Sequence, residues 1–126
     1  MPIISDAAAP VTDLLAGYER YAEANWDCYG AEPIAAETVE AARQFLGMLP
    51  ETLGEPHISP GSDGTIGLEW VFADGPLRKL YIDVGPGKVW GGYWRRASGE
   101  RRTIPPKIVD ERTEAELANL FEDLSA

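Results

Sequence analysis

One cysteine and one histidine are all that this 126-residue chain offers as thiolate and imidazole ligands. A zinc centre built from Cys and His needs about four of them, so that class of site is excluded and no metal is expected. Lone Cys28 excludes an intramolecular disulfide, and a reducing cytoplasm is the expected setting. No apolar run approaches the roughly 18–20 residues that span a bilayer, so no membrane partner is expected. Met1 to Pro10 lacks both the basic start and the apolar stretch of a signal peptide, and residues 1–10 read as a flexible N-terminus. Base is scarce as well. Residues 1–77 hold 2 basic side chains against 13 acidic ones.

What is present divides by charge. The net charge of −10 works against nucleic-acid binding, which depends on neutralising phosphates with Lys and Arg. Residues 78–109 nevertheless hold 8 basic against 2 acidic side chains, and residues 110–126 return to 6 acidic against 1 basic. Such segregation serves internal charge complementarity or a polar partner surface. The length fits a single domain over residues 1–126 with one core.

Periodicity places the elements. Val11, Leu14, Leu15, Tyr18, Tyr21 and Ala22 recur at helical spacing, which predicts a first helix over Val11–Ala24 with Asn25 as a left-handed stop. A second helix is predicted over Ala36–Met48 between Pro33 and Pro50, with Val39, Ala42, Phe45, Leu46 and Leu49 inward. From Thr65 the period becomes two: Ile66, Leu68, Trp70 and Phe72 alternate with polar or small residues, then Leu80, Ile82 and Val84 do the same. Turns at Asp74-Gly75-Pro76, Gly85-Pro86-Gly87 and Ser98-Gly99 separate these strands from Lys88–Trp94 and Arg101–Ile104. A last helix fits Glu114–Leu124, with Thr113 and Glu116 as a capping box. The fold class is therefore α+β, an antiparallel meander of four to five strands with two N-terminal helices and one C-terminal helix on one face.

Register follows from burial. Pairing Trp70 with Leu80, Leu68 with Ile82 and Ile66 with Val84 puts every apolar residue of both strands on one face, and a slip by one destroys the match. A Ser62-Asp63-Gly64 loop then pairs Ile58 with Leu68. The opposite face gains a row in which His57 meets Glu69 and Glu69 meets Tyr81, with Lys79 and Asp83 alongside. That row suits proton transfer or a polar ligand, or is a solvated outer face. At the Ser98-Gly99 tip, Arg96 is expected opposite Arg101 and Arg95 opposite Arg102. Four guanidiniums, with Trp90, Tyr93 and Trp94 on the preceding strand, fit an anionic or protein surface, or a solvated hairpin pairing with acidic helices.

Asn25-Trp26-Asp27-Cys28-Tyr29-Gly30-Ala31, followed by Pro33 and later by Gly67-Leu68-Glu69-Trp70, resembles a scattered group of small bacterial proteins. These carry an Asn-Trp-Asp-Gly-x-Gly-Ala junction and a Glu-Trp-like strand. The resemblance carries no assigned activity, and Cys28 stands where the pattern has glycine. Physically the junction reads as a helix–helix clasp: Asn25 ends a helix, Trp26 plugs the core, Asp27 accepts backbone amides and Gly30 reverses the chain. Alternatively Trp26, Asp27 and Tyr29 form a recognition patch. No cofactor is expected. The function expected from charge is a small acidic protein-binding module, an inhibitor or immunity-type partner of a basic protein. The alternatives are a ligand-binding domain or enzyme using the polar sheet face, and a homodimeric structural subunit.

Overall fold

Alternation of apolar side chains builds the sheet. The computed structural model describes residues 14–124, and the expectations placed on residues 1–13 (the flexible N-terminus and the first residues of the proposed helix) lie outside them. Five strands, β1 (His57–Pro60), β2 (Ile66–Val71), β3 (Leu77–Gly85), β4 (Val89–Arg96) and β5 (Arg101–Ile108), form one antiparallel meander in sequence order. Ile58 pairs with Leu68, Ile66 with Val84, Leu68 with Ile82 and Trp70 with Leu80, the pairing that puts all the apolar side chains on one face. Gly64 takes φ 84° at the end of the Ser62-Asp63-Gly64 loop, and the Gly61 amide closes that loop on the Thr65 carbonyl at 2.7 Å.

Two α-helices, α1 (Ala36–Gly47) and α2 (Thr113–Leu124), complete the α+β fold. Val39, Ala41, Ala42 and Phe45 of α1 are buried, and the Phe45 ring lies 5.1 Å from that of Trp90 on β4. Leu117 and Leu124 of α2 enter the same core cluster as Ile66, Leu68, Leu80, Ile82, Val84 and Trp90. Both helices therefore cover one face of the sheet. Each such side chain contributes about 1.5–3 kcal/mol by leaving water. The capping box of α2 begins three residues before the one read from Thr113 and Glu116. Asp110 Oδ1 accepts the Arg112 amide at 2.9 Å and Thr113 Oγ1 accepts the Asp110 amide at 2.9 Å, so Thr113 answers the cap instead of supplying it.

The expected helix over Val11–Ala24 is not formed by its described part. From Leu14 the chain makes a turn and then a short 3-10 helix, Tyr18–Tyr21, and Gly17 at φ 82° breaks any helical run before it. Leu15 and Tyr18 are buried all the same. Their spacing serves a segment that wraps onto the core, and among the described residues a single α-helix precedes the sheet.

Candidate functional site

Helices close one face of the sheet, and among the described residues none covers the other, open face. On the open face the central row runs across all five strands, pairing His57 with Glu69, Glu69 with Tyr81, Tyr81 with Tyr93 and Tyr93 with Thr103. One neighbouring row is Ser59, Gly67, Asp83 and Gly91; the other is Val71, Lys79, Arg95 and Arg101. The five polar residues singled out from the sequence thus share this face.

Their chemistry is unlike a proton relay. Glu69 holds Lys79 at 3.0 Å, while His57 stands exposed on the edge strand. The centre of gravity lies further along, at Tyr93. Its ring stacks on Tyr81 at 5.7 Å and 29°, Arg101 lies over it at 4.2 Å and Lys79 at 5.7 Å. Cations over an aromatic face are attracted by the ring quadrupole. Hydrogen bonds with Tyr93 and Glu69 hold the Lys79 ammonium above its ordinary pKa. Burial raises the Tyr81 hydroxyl, with Asp83 and Asp63 adding to the shift. Burial likewise raises the Asp83 carboxyl, reinforced by the negative charge of Asp63.

Beside Asp83 the sheet surface dips. Asp83 pairs with Gly91, and a hollow of about 370 Å³ opens there, lined by Tyr81, Asp83, Gly91, Tyr93, Arg101 and Thr103 among others. Three features shape it. Gly91 presents no side chain, and a Cβ there would sit 3.2 Å from the Ile104 carbonyl oxygen. At Gly92 a Cβ would collide with the Tyr81 carbonyl oxygen, so glycine is required where β4 approaches β3. Finally, the β4–β5 register shifts between Trp90 and Gly92, which places Pro105 and Pro106 in a bulge on the edge strand. Proline is tolerated there because no ladder hydrogen bond depends on its amide. Sequence reasoning missed this hollow, although the Gly91-Gly92 pair inside a strand pattern is its signal.

The arginine hairpin differs from its expected register. Its loop is Ala97-Ser98-Gly99, not Ser98-Gly99. The Arg96 amide bonds the Glu100 carbonyl at 2.8 Å, and Gly99 takes φ 93°, the left-handed last position of a three-residue hairpin loop. Arg95 therefore pairs with Arg101, and Arg102 with Trp94. Alternation then separates the four guanidiniums. Arg95 and Arg101 lie on the open face. Arg96 and Arg102 turn to the helix side, where Glu100 pairs with both at 3.4 and 3.1 Å and Arg96 also donates to the Asp123 carbonyl of α2 at 3.1 Å.

The junction is a closed loop between the 3-10 helix and α1. Asn25 at φ 62° donates its amide to Ala31 O at 2.7 Å, and its Oδ1 accepts the Gly30 amide at 2.6 Å. Asp27 Oδ1 accepts the Tyr29 and Ala31 amides at 2.8 and 3.1 Å. Trp26 is half-buried, not the core plug expected of it. Its ring packs edge-on against Tyr21 at 4.8 Å and its Nε1 donates to Glu32 O at 2.9 Å; the core positions here belong to Ala31 and Ile34. Of the recognition patch only Tyr29 projects, 92% exposed, because Asp27 is turned inward on the loop.

No family model, no curated protein and no solved structure matches the chain. Among the described residues no three His, Cys, Asp or Glu side chains converge on a metal position, and no helix is long and apolar enough to cross a membrane. The open face is the candidate site on its geometry alone.

Proposed function

We propose that the chain is a small protein-binding module that docks its partner on the open face of the sheet. The observation that carries the reading is the Tyr81–Tyr93 stack with Arg101 4.2 Å over its outer ring. Tyrosine and arginine are the residues enriched at interface hot spots, where a rigid ring supplies contact area at low entropic cost. Arg101 makes no ion pair among the described residues, so its guanidinium edge is available to a second molecule. Binding fits better than catalysis because Glu69 is engaged by Lys79 at 3.0 Å, which leaves His57 without an orienting carboxylate.

The finer reading is a cytoplasmic inhibitor or immunity-type partner of a basic protein. The net charge of −10 steers a basic protein toward this chain at long range, and the tyrosines anchor it at short range. Tagged wild-type protein is used to isolate a partner from the native host, and the purified partner is then titrated with Tyr93→Ala and Tyr29→Ala. Loss of a central anchor costs at least about 2 kcal/mol, or roughly 30-fold in affinity. Tyr93→Ala is expected to show that loss and Tyr29→Ala to bind as wild type; the reverse pattern overturns the assignment to the open face. Should the partner be a second copy, light scattering reports a dimer that Tyr93→Ala dissociates.

A further inference from the structure

The open-face hollow carries opposite charges at its two ends. Asp83 stands at the β3 side and Arg101 at the β5 side. Neither is in an ion pair among the described residues, and Arg95, which pairs with Arg101 on the same face, is in none either. Arg101 shares the row of Arg95 and Lys79, four residues along the sheet from Asp83, so their backbones are about 10 Å apart across the strands and about 13 Å apart along them. Arg101 leans back over Tyr93 on β4, which shortens the gap between the two charged groups. Between them lie the Gly91 floor and the Tyr81 and Tyr93 rings, apolar faces suited to the aliphatic stem and cationic head of a basic side chain. Thr103 adds a hydroxyl at the Arg101 end.

We infer that this hollow binds a dipolar ligand of the basic amino-acid type, its cationic side chain on Asp83 and its carboxylate on Arg101. These two charges are each complemented at one end, and the α-ammonium of such a ligand is left to solvent. Asp63, whose charge is felt at Asp83 and Tyr81, deepens the negative potential at the cationic end. Asp63 itself is occupied by the Thr65 hydroxyl and amide at 2.6 and 3.3 Å, so Asp83 is the contact and Asp63 its background. The ligand uses the Arg101 and Tyr93 surface on which the proposed docking face also rests, so the two occupants compete for it, while the test below needs no protein partner.

Free L-arginine is the probe, titrated against the full chain by NMR with the Tyr81 and Tyr93 ring signals as the readout. Agmatine lacks the carboxylate and L-citrulline lacks the side-chain charge, so each analogue removes one end of the dipole. Arginine is expected to give saturable shifts at both rings, and each analogue to bind about tenfold more weakly, the cost of one charged hydrogen bond. Asp83→Asn weakens arginine and agmatine but not citrulline; Arg101→Gln weakens arginine and citrulline but not agmatine. Equal binding of the three compounds, insensitivity to both substitutions, or no saturable shift at millimolar arginine overturns the inference. Both substitutions fall on the open face, outside the buried core, so the variants report on binding.

Discussion

Replacing Cys28 by glycine should stabilise the protein, and the backbone says by how much. Cys28 sits at φ 66°, in the region where a Cβ crowds the following carbonyl at a cost of about 1–2 kcal/mol. Its side chain is exposed, so little packing is lost with it, and the Cys28 amide bond to Asn25 O at 3.0 Å is kept by any residue but proline. Glycine adds about 0.5–1 kcal/mol of unfolded-state entropy on the other side. The net gain is about 0.5–1 kcal/mol, or a few degrees in Tm for a domain of this size. Cys28→Ala is the control, because it removes the thiol and keeps the strained Cβ; it should stay within about 0.5 kcal/mol of wild type. Asn25→Gly shares the left-handed backbone at φ 62° but gives up the 2.6 Å bond from the Gly30 amide, so it should destabilise. Urea midpoints in reductant, at constant m, measure all three. A Cys28→Gly protein no more stable than Cys28→Ala would refute the reasoning, since the two differ only by the Cβ.

The raised Asp83 pKa has a definite sign in stability. A group whose folded pKa lies above its unfolded value gives stability that is full below the unfolded pKa and lost as pH rises through the folded one. Asp83→Asn should therefore raise the urea midpoint at neutral pH, with the difference from wild type closing in acid below the ordinary carboxylate range; a lower midpoint at neutral pH would mean that the charge is stabilised in place. Gly92→Ala is expected to prevent stable folding, at a cost upward of about 3 kcal/mol, because its Cβ meets the Tyr81 carbonyl of the central strand. Native circular dichroism and a sharp thermal transition for that variant would show the β3–β4 approach to be looser than described.

How much of this was legible in the sequence depends on which residues carried the information. Ile66, Leu68, Trp70, Leu80, Ile82 and Val84 leave one register that buries them all, so β2 and β3 could be paired before any coordinates. The first helix was misread because helical spacing is also produced by a chain wrapping onto a core. Leu15 and Tyr18 are buried without a helix, and Gly17 at φ 82° was the local signal against one. At the arginine hairpin the error was a single loop residue. Counting Ala97 into the turn moves Arg101 opposite Arg95 and puts Arg101 in place of Arg102 on the open face, because side chains alternate along a strand. Trp26 was misplaced for another reason: its indole N–H needed an acceptor, found at Glu32 O, and that bond keeps the ring at the margin of the core. The hollow required knowledge of a bulge, which turns on how Pro105-Pro106 leaves the ladder and is not fixed by alternation.

These corrections also bear on the proposal that the open sheet face is a binding face and not only a solvated one. A face that only meets water gains nothing from half-burying a carboxylate beside a second one, yet Asp83 is desolvated in the field of Asp63. Arg101 is held over a tyrosine with no carboxylate partner among the described residues, while Glu100 is shared by two other arginines a few residues away. Exposed charges on a sheet ordinarily spread into water or pair across strands, as Glu69 and Lys79 do at 3.0 Å. Asp83 is half-buried and Arg101 lies over Tyr93, neither is in an ion pair among the described residues, and both line the same glycine-floored hollow. A perturbed carboxylate in a concavity is a mark of a candidate binding site. If the proposed ligand site is right, the rise in midpoint on Asp83→Asn should come with the loss of arginine binding in the same variant.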